Sequence, residues 1–323
     1  MVRLRKIFII SLLFLFIFIS PALSYERVKF INFSDIHLSI NGENTMKMGK
    51  DSVNIAQLCV NIANQTPNLD FVIFTGDLLQ DGEPWNLDKF KEIFDNLKVP
   101  YYVIIGNHDY SPVNAKFASI SKNDFIWAFQ GHGFNGNNGY WSLDPVQGLH
   151  LTGLDTTMVG TWGGELFQTE LNWLENDLKN NKDKLSIVLA HHNFVCHLED
   201  DKGKMSNFVA SNASQVRNIF EKNNVKFVIS GHHHITSVVE MNGVYYFSNP
   251  STTSYPCAYT VYEIEKNTFK YTTLQLPLSK QVLEEAKKNL LADEWWRPQG
   301  ASDKEMLIQF EGEEKENKGA ISF

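Results

Sequence analysis

Phe71-Val72-Ile73-Phe74-Thr75-Gly76-Asp77 and Tyr101-Tyr102-Val103-Ile104-Ile105-Gly106-Asn107-His108-Asp109 decide the fold. Each is an unbroken apolar run closed by a glycine and then by residues that bind protons or metals. A continuous apolar run is the pattern of a strand buried on both faces, as in a sheet covered by helices. Between the two runs, Leu87, Phe90, Ile93, Phe94 and Leu97 recur at helical spacing. Upstream, Val28-Lys29-Phe30-Ile31-Asn32-Phe33 alternates like a strand and ends at Ser34-Asp35. A helix over residues 49–65 comes next, with Val53, Ala56, Leu58, Val60, Ile62 and Ala63 as its apolar positions, and it stops before Pro67. This strand–helix–strand–helix–strand order predicts an α/β sheet with helices packed on its faces.

Downstream the pattern loosens. Residues 131–139 are rich in Gly and Asn and read as a loop. Tyr140 to Leu143 and Leu149 to Thr152 read as two strands around a turn. Helices are expected over 168–180, 206–222 and 278–292. Strands are expected over 185–190, 225–229, 244–247, 258–264 and 269–274. The segment after 311, EGEEKENKGAISF, is expected to be a charged, mobile tail.

The chain has 323 residues, 43% hydrophobic and 20% charged, with a formal net charge of −8. These values exclude a disordered, collagen-like or polytopic membrane chain. The acidic balance argues against a stable nucleic-acid complex, and three cysteines are too few for a disulfide scaffold. The start differs from the average. Arg3, Arg5 and Lys6 precede an apolar run from Ile7 to Ile19, and Ser20, Pro21 and Ala22-Leu23-Ser24 come after it. This is the layout of a secretory signal peptide cut after Ser24. The run is shorter than the ~20 residues a spanning helix needs, so an uncleaved anchor is the weaker reading and the mature chain is expected not to span a membrane. Loss of the three basic residues takes the formal charge from −8 to −11. The expected division is a signal peptide over 1–24, a catalytic domain over 25–276, and a C-terminal helix and charged tail over 277–323, in a periplasmic or secreted protein.

The residues just past each buried strand carry the chemistry. The strands lead in turn to Asp35-Ile36-His37, Gly76-Asp77, Gly106-Asn107-His108-Asp109, His191-His192 and Gly231-His232-His233-His234. In open α/β folds, ligands bind beyond the carboxyl ends of strands. Asp, Asn and His donors suit zinc, manganese or iron, and two such ions side by side suit phosphoryl displacement. The glycines before Asp77, Asn107 and His232 permit tight turns at the ions. Taken singly, each short motif reads as well as a turn or a satisfied histidine. Together, all five segments occur in order at strand ends, and five of the ten histidines fall on the motif positions His37, His108, His191, His232 and His234.

That set, D-x-H … G-D … G-N-H-D … H … G-H-x-H, resembles the calcineurin-like metallophosphoesterase superfamily from about Phe30 to Ile264. Thr75 to Gly82, Pro100 to Asp109 and Asn249-Pro250-Ser251-Thr252 are similar to its bacterial cyclic-nucleotide phosphodiesterase branch. Gln80 stands where purple acid phosphatases carry an iron-binding tyrosine. The resemblance implies a four-layer α-β-β-α sandwich with two mixed sheets and helices on the outer faces. It implies two divalent ions (Mn, Zn or Fe), one on Asp35, His37 and His234 and the other on Asn107, His191 and His232, with Asp77 bridging. His108 would face the phosphoryl group and Asp109 would orient it. Asn193 replaces the proline usual after the paired histidines, which leaves that loop's shape open. The implied activity is hydrolysis of a small phosphodiester or phosphomonoester, with nucleotide-type esters among the candidates, by hydroxide generated at the ions. The alternatives are a catalytically silent scaffold of the same fold that acts by binding protein, and a structural metal protein without turnover.

Outside this set, His132 and His150 read as structural, and His197 as part of a solvated loop. His192 and His233 point away from the ligands beside them. Trp162 reads as loop packing, and Trp295-Trp296 as a seal between the core and the last helix. Cys59 reads as buried and inert, and Cys196 with Cys257 as a minor candidate for a disulfide. Specificity is expected in the loops at 38–48, 110–124, 131–139, 156–166 and 193–206.

Overall fold

A computed structural model describes residues 27–113 and 115–323. The expected signal peptide lies outside these residues. The chain runs β1 (Arg27–Phe33), α1 (Ser52–Gln65), β2 (Phe71–Phe74), α2 (Pro84–Phe94), β3 (Tyr101–Val103), α3 (Lys122–Ala128), β4 (Trp141–Val146) and β5 (Leu149–Gly153). It continues α4 (Gln168–Asn180), β6 (Leu185–Ala190), α5 (Ala213–Lys222), β7 (Phe227–Ser230), β8 (Ser237–Met241), β9 (Val244–Ser248), β10 (Ala258–Glu265) and β11 (Thr268–Gln275). The last elements are α6 (Lys280–Ala292), α7 (Asp303–Glu311), α8 (Glu314–Asn317) and β12 (Lys318–Ser322).

The apolar runs form the centres of two mixed six-stranded sheets, ordered β12-β11-β10-β1-β2-β3 and β4-β5-β6-β7-β9-β8. β1, β2 and β3 pair in parallel, with Phe30 opposite Phe71. So do β5, β6, β7 and β9, with Ile187 opposite Phe227. β6 shows why its run is apolar throughout. Ile187 and Leu189 join the core between the sheets, whereas Val188 and Ala190 join a second core with Leu171, Leu174 and Leu178 of α4 and Val216, Ile219 and Phe220 of α5. On the other sheet, Phe74 meets the rings of Phe90 and Phe94 on α2 edge-on, at 5.4 and 4.8 Å. Aromatic rings join the sheets. Phe227 of β7 stacks on Phe269 of β11 with centroids 3.9 Å apart, and Phe247 of β9 meets Tyr262 of β10 at 5.5 Å. The architecture is thus the four-layer α/β sandwich with mixed sheets and outer helices.

Three readings need correction. The helix expected over 206–222 begins only at Ala213. The backbone before it is taken by the 193 loop, through Asn193 N–H to Phe208 C=O and Ala210 N–H to Asn193 C=O, so it cannot also satisfy a helix. The segment after 311, expected to be mobile, instead forms α8 and β12. β12 pairs antiparallel with β11 and sets Ile321 opposite Phe269. Its charge masks a short alternation in which Ile321 alone is buried. The hairpin of β8 and β9 was not anticipated, although Asn242-Gly243, both at positive φ, is a strong hairpin turn signal. Likewise Ser121 and Asp124 form a capping box that starts α3.

Phe269 contacts Phe227, Phe247 and Tyr262 and is fully buried. Phe269→Ala is expected to cost about 3–5 kcal/mol through the cavity it leaves. Urea unfolding should show a lower midpoint with an unchanged slope.

Candidate metal centre

The C-terminal ends of β1, β2 and β3 in one sheet and of β6 and β7 in the other converge on one edge of the sandwich. The turns there are abrupt. Asp35, His37, Asp77, His232 and His234 all take positive φ, between 43° and 68°. For residues with a Cβ this left-handed backbone costs on the order of 1–3 kcal/mol each and persists only where the surroundings enforce it. Two glycines are needed for close approach rather than for φ alone. A Cβ on Gly106 would fall on the Asp77 amide, and one on Gly231 would fall on the Ser34 hydroxyl and the Asp35 carboxylate.

The seven expected ligands are brought together and all are buried. Asp35, His37, Asp77 and His234 form one group of donor atoms, and Asp77, His191 and His232 another. Within each group the donor atoms lie within 4.8 Å of one another. Asp77 belongs to both. Its Oδ2 lies 3.5 Å from His37 Nε2, and its Oδ1 lies 3.3 Å from His191 Nε2. His37 Nε2 and His234 Nε2 are 3.3 Å apart, and His234 Nε2 is 3.3 Å from Asp35 Oδ1. In the second group, Asn107 Oδ1 lies 2.9 Å from His191 Nε2.

Surrounding bonds aim these atoms. His191 Nδ1–H donates to the Thr75 carbonyl at 2.8 Å, and His234 Nδ1 lies 3.2 Å from Ser254 Oγ. Both leave Nε2 free for the centre, the usual role of a ligand histidine's outer partner. The Asp35 carboxylate accepts the His232 N–H and the Ser34 hydroxyl. Ser251 Oγ donates to the Asp35 carbonyl at 2.7 Å.

The electrostatics fit divalent cations. Burial, and next to it Lys47, holds the His37 imidazole well below its ordinary pKa. Burial and the imidazoles of His192 and His191 do the same for His232. Both are thus neutral, the form that ligates metals. Burial also works against a charged His191, but the Asp77 carboxylate outweighs it and raises that pKa to about 9. Burial likewise works to raise Asp77, yet His191 and His108 hold it well below the carboxylate range. The centre therefore draws positive charge to Asp77. The buried His232 Nε2 and Asn107 Nδ2 have no hydrogen-bond partner in the protein. A buried polar atom without a partner is costly, and a metal ion satisfies the His232 nitrogen.

His108 stands at the open side of the centre. Its Nδ1 lies 2.7 Å from the Gln80 carbonyl and 2.9 Å from Asp81 Oδ1, so Nε2 faces the cleft. This corrects the expected role of Asp109. Its carboxylate accepts the amides of Leu78, Leu79 and Gly106, at 2.7, 3.0 and 2.8 Å, and so fixes the turns that carry Asp77 and Asn107. Burial and the Asp77 charge push Asp109 up to about 8, while the Gly106 and Leu79 amides pull it down. The carboxylate that orients His108 is Asp81.

The cleft above the centre has a volume of about 370 Å³. Its floor includes Asp77, His232 and His234, and Lys47 and His108 form one side. Trp162, Phe208, Trp295 and Trp296 supply aromatic walls. Trp296 stacks on the His234 ring at 5.4 Å and also packs on Phe310 of α7, so it both seals the C-terminal segment and lines the cleft. Trp295 is 47% exposed, and Trp162 lies 5.2 Å from the His108 ring. Lys47, Asp81, Asn207, Phe208 and the two final tryptophans were not anticipated at the site. Asp81, inside the Thr75 to Gly82 stretch, and Lys47, inside the 38–48 loop, had a signal in the sequence. Of the loops expected to carry specificity, those at 38–48 and 156–166 reach the cleft, through Lys47 and Trp162.

The other histidines have structural partners or turn inward. His192 bonds Thr156 Oγ1 and the Trp162 carbonyl, at 2.7 and 3.0 Å. His150 lies between Asp144 and Asp177, and His132 stacks on Tyr101. His233 Nε2 lies 3.2 Å from Asp201 Oδ1 behind the centre. The His197 ring nitrogens are buried rather than solvated, and burial lowers that pKa to about 3. Among the described residues all three cysteines are free. Cys196 is exposed and Cys257 buried.

Comparison with known proteins agrees with this geometry. The model of the calcineurin-like phosphoesterase family matches residues 28–236. The probable glycerophosphodiester phosphodiesterase GpdQ of Arcobacter nitrofigilis is 32% identical over 166 residues, which cover 50% of this chain and 56% of that protein. The 3′,5′-cyclic adenosine monophosphate phosphodiesterase CpdA of Haemophilus influenzae is 26% identical over 70% of this chain and 76% of its own length. The purple acid phosphatase PPD1 of yellow lupin shares the fold, with a TM-score of 0.58 at 14% identity over 79% of this chain and 52% of that one. The chain thus spans little more than half the length of GpdQ and of PPD1. From the ordered ligand set, the shared Asp77 and the family match, the chain belongs to the calcineurin-like phosphoesterase family.

Proposed function

We propose that this chain is a two-metal phosphoesterase that hydrolyses small phosphodiesters or phosphomonoesters, nucleotide-type substrates among them. The observation that carries this reading is the division of one buried carboxylate, Asp77, between two groups of metal donors, with His108 lining the cleft beside it and donating its backbone N–H to Asp77 Oδ1 at 2.8 Å. Asp35, His37, Asp77 and His234 would hold one ion, and Asp77, Asn107, His191 and His232 the other. When bound, two divalent ions act as Lewis acids and lower the pKa of a coordinated water.

The protein's own residues do the rest. The Asp81 carboxylate and the Gln80 carbonyl keep a proton on His108 Nδ1. With Nδ1–H held by these acceptors, Nε2 faces the cleft, and in the imidazolium form it would donate to a phosphoryl oxygen or protonate the departing alkoxide. Asp109 holds the turns that place Asp77 and Asn107. The aromatic walls suit a leaving group with a flat or apolar body, since every nucleobase has a face that stacks on such rings. The names of the bacterial relatives support a phosphodiester substrate. Zinc, manganese and iron all suit the donor set.

The basic start, short apolar run and Ser24 site support export to the periplasm or the medium. Among the described residues no helix is long and apolar enough to cross a membrane.

A panel of bis-p-nitrophenyl phosphate, p-nitrophenyl phosphate and cyclic nucleotides with added manganese, zinc or iron tests the activity. Turnover that chelation abolishes is expected, and a metal-loaded protein silent on every substrate would overturn the proposal. His108→Ala should keep its metal and lose roughly 100-fold or more in turnover. Asp81→Asn should also keep its metal and lose about 10-fold. Asp77→Asn should lose metal and activity together, read by metal content per chain. For export, the N-terminal sequence of the protein recovered outside the cytoplasm should begin at Tyr25; recovery with Met1 still in place would refute cleavage after Ser24.

A further inference from the structure

We infer that Lys47 is a phosphoryl-binding residue that favours dianionic phosphoryl groups, a step that rests on the phosphoesterase reading above. Its position is built rather than incidental. Met46 and Met48 are both buried, whereas the Lys47 side chain between them lines the cleft. The segment is pinned there by Met48 N–H donating to the Thr253 carbonyl at 2.7 Å and by a bridge between Lys47 and Ser254. The same stretch holds the Asp35 carbonyl through Ser251 and Thr253. Lys47 is therefore fixed relative to the ligands.

Its ammonium has donors to spare. Nζ lies 3.1 Å from His37 Nδ1 and 3.3 Å from His108 Nε2, and among the described residues no carboxylate is within ion-pair distance. A lysine has three N–H donors and no acceptor. His37 turns Nε2 toward Asp77 and His234, and an imidazole that ligates through Nε2 carries its proton on Nδ1. His37 then offers Lys47 no acceptor. An anionic oxygen above the centre meets both needs, as an acceptor for the ammonium and a partner for its charge. Lys47 and His108 are neighbours on one side of the cleft, so one phosphoryl group reaches both.

The charge balance selects among phosphoryl groups. The ligand set contains two carboxylates, Asp35 and Asp77, against the charge of two divalent ions. The Asp81 carboxylate beside His108 offsets part of the remaining positive charge, and Lys47 adds one positive charge that attracts the dianion of a phosphomonoester or inorganic phosphate about twice as strongly as the single charge of a diester.

The test uses the metal-loaded mature chain, with Lys47→Met and Lys47→Arg. Three quantities are read: metal content, calorimetric binding of inorganic phosphate, and kcat/KM for p-nitrophenyl phosphate and bis-p-nitrophenyl phosphate. Lys47→Met should keep its metal and weaken phosphate binding by about 10-fold or more, the worth of one charge-assisted hydrogen bond. Its kcat/KM should fall further on the monoester than on the diester. Lys47→Arg should recover part of both. Unchanged phosphate binding, an equal loss on both esters, or loss of metal in Lys47→Met would each overturn the inference. A wild-type chain that binds metal and phosphate but turns over neither ester would overturn the phosphoesterase reading instead, and the phosphate measurement would still decide the role of Lys47.

Discussion

Asp77 ties the two sheets together at their functional edge. It leaves β2 on a strained, left-handed backbone and turns one oxygen toward His37 from β1 and the other toward His191 from β6. Each oxygen faces a group of buried imidazole donors, and Asp35 adds a second carboxylate to the group on the His37 side. The arrangement tolerates burial because the imidazoles and the carboxylates need the same thing, positive charge at two points between them. The parallel strands bring those points together, and the aromatic contacts between the sheets, such as Phe227 on Phe269, keep the edges in register.

The strain is localised accordingly. Asp35, His37, Asp77, His232 and His234 all adopt positive φ, although none is glycine. A dense set of hydrogen bonds holds them there. Asp109 alone collects three amides from two turns, and Asp35 receives the His232 N–H and the Ser34 hydroxyl. Asp109 therefore acts through the backbone, and the imidazole of His108 is oriented by Asp81 from a neighbouring turn. Residues next to each other in a motif can serve different elements once the chain bends sharply.

The walls of the cleft come from distant parts of the chain. Lys47 arrives from the loop after β1, Trp162 from the loop before α4, Phe208 from the segment before α5, and Trp295 and Trp296 from the stretch after α6. The C-terminal segment is part of this construction. α7 holds Trp296 through Phe310, β12 completes the edge of a sheet, and Trp296 in turn covers His234. The segment that composition marks as a charged tail thus adjoins the helix that anchors the site.

Local order is legible in the sequence because it depends on near neighbours. Apolar runs at 71–74 and 185–190 mark buried strands, helical spacing marks α1, α2 and α4, and the residues just past the strands announce the ligands. A strand end fixes the position of the residues after it, and the resemblance of their ordered set to the calcineurin-like family, rather than any one strand end, named the donors one by one. The fold class rests on the same order. The tertiary structure alone decided which side chains meet across the cleft, because the contacts of His108 with Lys47 and Trp162, and of Trp296 with His234, join positions far apart in the chain. It also decided that Asp81 rather than Asp109 orients His108, and that the last residues form a strand. These outcomes depend on turn geometry and on edges left open by other strands, and neither is written in the periodicity of the segment itself.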